Sequence, residues 1–143
     1  MADSVAPNIA VCNVGAVDAS ATPTINVFKA PSTCKAVIHA IYIVSGTGVA
    51  AHATNVHTSV FNRLRAASAT AIAERTTDTD IAGSAAIVVD VPWKVTLKSA
   101  ALAELNAGDL LQWAPAEGGA AASGDLTEAC VFVEWSPGTG TGQ

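Results

Sequence analysis

Between Cys34 and Val44 the chain reads Cys-Lys-Ala-Val-Ile-His-Ala-Ile-Tyr-Ile-Val, and no other stretch narrows the choice of fold so far. Val37, His39, Ile41 and Ile43 alternate with Ala36, Ile38, Ala40, Tyr42 and Val44. Both sets are mostly apolar, which predicts a strand buried on both faces. Ser-Gly-Thr-Gly at 45–48 ends it. Asn8–Val14 and Thr24–Lys29 read as two earlier strands, with Pro7, Pro23 and Pro31 at their ends, where proline is tolerated. Asn55–Arg65 alternates Val56, Thr58, Val60, Asn62 and Leu64 against His57, Ser59, Phe61, Arg63 and Arg65.

Ala69–Thr76 reads as strand, because the Thr- and Asp-rich residues after it offer no helical continuation. Ala86–Val91 and Trp93–Lys98 form a strand split at Pro92, and Ala100–Leu105 makes one helical turn. Leu110–Ala114 and Thr127–Trp135 close the chain as strands, joined by a loop over Pro115–Gly124. About eight short strands at intervals of roughly 10 to 15 residues, with no long helix, predict an all-β sandwich or barrel. Residues 8–136 form that domain, behind an N-terminal arm at 1–7. Pro-Gly-Thr-Gly-Thr-Gly-Gln at 137–143 has no core-forming residue and is expected as a flexible tail.

With 143 residues the chain holds one ordinary domain. Half of them are hydrophobic and mean hydropathy is +0.40, which argues against disorder. About 30 residues are Ala, however, and only three Trp, three Phe and one Tyr supply large apolar groups. Val, Ile and Leu must therefore build the core, as suits thin packed sheets. Charged residues make up 13% of the chain, against roughly 25% in a typical soluble domain. Such a surface is expected to pack against copies or partners.

Net charge is −5, and the seven Lys and Arg are scattered. A grip on nucleic acid needs several of them on one face, so no nucleic-acid partner is expected. Arg63, Arg65 and Arg75 do lie close together in sequence, but Glu74, Asp78 and Asp80 answer them. The apolar run Ala36–Val44 is too short to cross a bilayer, and Met1–Asp3 lack the positive start of a signal peptide. A soluble, unsecreted protein without a membrane partner is the expectation. Cys12, Cys34 and Cys130 are odd in number and contain no CxxC, which favours buried free thiols.

Motifs for chemistry are weak. Ser45-Gly46-Thr47-Gly48 follows an apolar strand as in a dinucleotide fold, and Ala51 stands at the third glycine position. Thr54–Val60 is rich in poor helix formers, so a plain turn is preferred. His39 is expected as a hydrogen-bonded interior residue, and His52 and His57 have no carboxylate or Cys at ligand spacing. Asp78-Thr79-Asp80 lacks the Gly and Glu of a calcium loop. Trp93, Trp113 and Trp135 lie in or beside strands and are expected to pack in a core or interface rather than stack on a sugar or base. Neither GxSxG nor HExxH occurs, and no catalytic, cofactor-binding or metal residues are assigned.

Several segments taken in order carry a resemblance: the strand Ala36–Ile43, the Thr54-Asn55-Val56 loop, and Ile72-Ala73-Glu74-Arg75-Thr76-Thr77. Asn106-Ala107-Gly108-Asp109-Leu110-Leu111, a Gly/Ala loop and the closing Val131-Phe132-Val133-Glu134-Trp135-Ser136-Pro137-Gly138 complete it. Together they resemble the small jelly-roll head decoration (cement) proteins of tailed bacteriophages. The resemblance implies an antiparallel β-sandwich of jelly-roll type and a structural, non-enzymatic role on the outside of the capsid shell. It implies the major capsid protein lattice as partner, a homotrimer, and a place on the virion after a stay in the host cytoplasm. A carbohydrate- or receptor-binding jelly-roll module of a phage fibre is the alternative, and it would need an exposed Trp/Tyr and Asp/Asn cluster on one face.

Overall fold

The computed structural model describes residues 7–119 and 124–142. Nine strands run in chain order: β1 (Asn8–Val17), β2 (Ile25–Lys29), β3 (Ala36–Val44), β4 (Val56–Arg65), β5 (Ser68–Thr76), β6 (Trp93–Leu97), β7 (Glu104–Leu105), β8 (Leu110–Gly118) and β9 (Leu126–Pro137). All their pairings are antiparallel, in the spatial order β1-β9-β3-β6-β5-β4-β8-β2, with the two-residue β7 on the end of β3. The sheet nearly closes into a barrel. Among the described residues only the seam between β1 and β2 lacks a ladder, and Phe28 of β2 meets Trp135 of β9 at 5.4 Å between ring centroids.

Setting β7 aside, the pairs nest: β1 with β9, β2 with β8, β3 with β6, β4 with β5. That is one long folded-over hairpin. Rolling it up adds the pairs β3 with β9, β4 with β8, and β5 with β6. The roll encloses Ile38, Ile41, Ile43, Phe61, Ile72, Val95, Leu111, Trp113, Val131 and Val133, each at most 2% exposed. Two thin walls of β-branched residues can close such a core because each side chain stands perpendicular to its strand.

The strand buried on both faces is corrected in one respect. Its register slips between Ile38 and Ala40, so His39 is the extra residue of a β-bulge. Ile38, Ile41 and Ile43 thereby share the inner side, although simple alternation separates Ile38 from the other two. His39 is exposed, not interior, and its Nε2 lies 2.6 Å from Ser136 Oγ. Val37, Tyr42 and Val44 remain half-buried on the outside.

The expected strand over 86–91 is absent. Ile87 alone forms a bridge with Val49, and Asp90 at φ 59° turns the chain before Pro92. Ala100–Leu105 splits into a turn, in which Ala103 N–H donates to Ser99 O at 3.2 Å, and then β7. β8 continues through Pro115 to Gly118, beyond the expected end. Proline fits there because β2 begins opposite Trp113, which leaves β8 an edge on that side.

The arm at 1–7 lies outside the described residues except for Pro7. The segment expected as a free tail is bonded to the barrel instead. Gly138 N–H donates to Lys35 O, Lys35 N–H to Gly140 O and Ala107 N–H to Thr141 O, each at 2.8 Å. Backbone groups need no side-chain hydrophobicity to make these bonds, so composition concealed them.

Candidate interaction surface

The inner positions of β1 are taken. Ala10, Cys12 and Val14 pack on the core, which turns Ile9 and Val11 outward with 62% and 55% of their surface exposed. Across the sheet, Val11 stands opposite Phe132, Phe132 opposite Tyr42, and Tyr42 opposite Lys94. A second row runs from Ile9 to Glu134 to Ala40. These rows gather Ile9, Val11, Phe132 and Tyr42 on the outer wall of β1-β9-β3-β6, with Glu134 among them and Lys94 at the margin. Ile9, Tyr42, Val44, Pro92, Phe132 and Glu134 line a shallow groove of about 220 Å³ there.

Val91, next to Pro92, and Val88 and Val89 before it are also about half exposed. Single exposed aliphatic residues need no explanation, but an aromatic and aliphatic strip on one wall points to a contact surface. Lys35–Glu104, Arg65–Asp109 and Lys98–Glu74 are the ion pairs among the described residues, and none of their members lines the groove. Sequence reading had the residues of this wall but not their orientation. β1 read as an ordinary strand, and only its pairing with β9 brings Ile9 and Val11 beside Phe132.

The residues weighed for chemistry are dispersed. Among the described residues no three His, Cys, Asp or Glu side chains converge as a metal site would require. His52 Nδ1 accepts from the backbone N–H of Thr54 and Asn55, both at 3.0 Å, and shapes an exposed turn. His57 is fully buried. Gly46 and Gly48 belong to a turn whose Gly46 N–H donates to Thr127 O, and the chain runs on to Val49's bridge rather than a helix. Asp78 Oδ1 accepts from Asp80 N–H at 2.9 Å in a local turn.

Arg63, Arg65 and Arg75 are not answered by the acids expected. Arg65 pairs with Asp109 at 2.8 Å, Arg63 donates to Glu104 O, and Arg75 donates to Gly83 O and Lys94 O. Glu74 pairs with Lys98 instead. The three thiols are free but half-buried rather than enclosed. Trp93 and Trp113 are at most 3% exposed, so neither ring face is open to a sugar, and Trp135 covers the β1–β2 seam against Phe28. No helix among the described residues is long and apolar enough to cross a membrane. Comparison with family models, curated proteins and solved structures finds no match to this chain.

Proposed function

We propose that this chain is a structural protein of a tailed-phage head, a jelly roll that docks on the outside of the capsid shell and decorates or stabilises it. The observation that carries the reading is the apolar outer wall of β1-β9-β3-β6, with Ile9 and Val11 at solvent beside Phe132 and Tyr42. Support for the jelly roll comes from the nested pairing of the strands, since an eight-stranded hairpin rolled into two walls has that topology. A low charged fraction and net charge of −5 leave apolar burial as the main source of affinity, rather than attraction to an acidic partner or nucleic acid. Assembly as a trimer multiplies a weak contact, because several copies engage the lattice at once.

The lattice is the partner in this reading, and the test uses shells that lack the protein. Purified chain is cosedimented with undecorated tailed-phage capsids at low salt and at roughly 1 M salt, where the Debye length is about 3 Å. Binding is expected to persist at high salt and to be lost in the double variant Ile9→Lys, Val11→Lys. Both residues are already largely exposed, so the fold survives the change. Release by salt alone, or full binding by the double variant, would refute the mechanism.

A further inference from the structure

Inside the barrel, three polar side chains form a line with no water-facing end. His57 and Ser59 project inward from β4, and Trp113 projects inward from β8; all three are 0% exposed. His57 Nδ1 lies 2.7 Å from Gly124 O. A carbonyl only accepts, so Nδ1 carries the proton. In the neutral ring Nε2, 2.6 Å from Ser59 Oγ, accepts from the serine hydroxyl. Ser59 Oγ in turn accepts from Trp113 Nε1–H at 2.9 Å. With the ring neutral, every donor has one acceptor.

The same histidine holds two connections. Its backbone N–H donates to Thr77 Oγ1 at 2.9 Å, and Thr77 N–H returns a bond to His57 O at 2.9 Å, which fastens the segment after β5. Gly124, just before β9, lies so close that a Cβ there would sit 3.1 Å from Val56 O and 3.3 Å from His57 Cα. The ring thus joins β4 and β8 to the start of the β9 segment.

The geometry points to an acid-sensitive lock, in which neutral His57 ties Gly124 to β4 and β8, and a proton taken up from solvent at Nε2 opens this end of the barrel. With Nε2–H as a donor, Ser59 Oγ must accept from both His57 and Trp113, and the serine hydrogen loses its acceptor. A buried cation is added at the same time, far costlier than a buried neutral ring. Burial is the main reason the ring resists protonation, holding its pKa below the ordinary 6.5; the Gly124 bond and the nearby Asp125 charge act the other way.

Charged groups lie on the segments packed around the ring. Asp125 follows Gly124, and Glu117 Oε2 accepts from Gly124 N–H at 3.4 Å. Asp78 follows Thr77. Arg75 stands 5.2 Å over Trp93, whose ring meets His57 edge-on at 6.1 Å between centroids. Of these, Asp125 favours an imidazolium, while burial opposes one.

The sign follows from linkage. Below 6.5 the unfolded chain binds a proton that folded His57 does not, so stability is full above that pH and falls as pH drops. The folding constant is expected to fall by up to about tenfold per pH unit in this window. Nitrogen-15 NMR of the full chain should show His57 as the neutral Nδ1–H tautomer, still neutral below pH 6.5 while the core is intact. An Nε2–H tautomer, or titration at the ordinary value with unchanged core signals, overturns the lock.

Denaturant unfolding supplies a second reading. His57→Gln should remove the pH slope that His39→Gln and His52→Gln retain. If His57→Gln does not fold, His57→Asn takes its place. It too lacks a titrating ring, so the pH slope should be lost with it. An unaltered slope in the variant that folds is evidence against the lock. None of these outcomes depends on what the outer wall binds.

Discussion

Asp109 shows how much a single carboxylate holds at the residue scale. It is 8% exposed, and its Oδ2 accepts from both Arg65 Nε and Asn106 N–H at 2.8 Å. The bond to Asn106 closes the Asn106–Asp109 turn that leads into β8. Asp109→Ala orphans a backbone donor and a guanidinium together, and is expected to cost about 2–3 kcal/mol in urea unfolding. Arg65→Ala should cost less, about 1 kcal/mol, because Arg65 is 38% exposed and Asp109 keeps its backbone partner. Asp18 acts in a lower pH range than His57. The Ser20 hydroxyl holds its carboxyl below the ordinary 3.8, so its cap on the 3-10 turn Ala19–Ala21 contributes above that pH and fades below it.

At the scale of elements, the β4–β5 hairpin carries a local conflict. Arg65 pairs with Ser68, leaving Ala66 and Ala67 as a two-residue loop with φ of 48° and 65°. Positive φ at both positions is the type I′ turn that matches strand twist, and Asn-Gly is its preferred sequence. Ala carries a Cβ penalty there that the strand pairing overrides. Replacing Ala66-Ala67 with Asn-Gly is expected to stabilise the protein by about 1–2 kcal/mol, seen as a higher thermal midpoint. The bulge in β3 makes the opposite kind of prediction. Deleting His39 should leave Ile38 and Ile41 facing inward in a regular ladder, so the chain still folds. Deleting Tyr42 instead turns Ile43 outward and should abolish the cooperative transition, as measured by circular dichroism on heating.

Across the whole molecule, the two ends of the chain close the roll. β1 pairs along β9, and the residues after β9 bond back to Lys35 and Ala107. Removing residues 138–143 deletes the Gly138, Gly140 and Thr141 backbone bonds, together with the Asn106 side-chain bond to Gly142 O. At about 0.5–1.5 kcal/mol each, the loss of these four bonds should lower stability by roughly 2–6 kcal/mol. A shell-binding defect in this truncation would therefore have to be separated from unfolding, whereas a defect in the Ile9→Lys, Val11→Lys variant would not.

Strand existence was legible in the sequence because period-two alternation and β-branched residues act locally. The strands at 36–44, 56–65, 68–76 and 126–137 lie within a few residues of where that pattern places them. Facing was not legible. On β4 the inward set is His57, Ser59 and Phe61, while the more apolar Val56 and Val60 stay half exposed. Hydrophobicity ranks that choice the wrong way, and only the His57–Ser59–Trp113 bonds, contributed from two strands and a carbonyl near β9, make the polar pair acceptable inside. Val88, Val89 and Val91 likewise read as strand, yet within that segment only Ile87 forms a bridge, to Val49. Sequence by itself determined an antiparallel all-β chain with a Val, Ile and Leu interior. Tertiary structure decided which face of each strand is inside and which apolar wall meets solvent, because those depend on pairing partners distant along the chain.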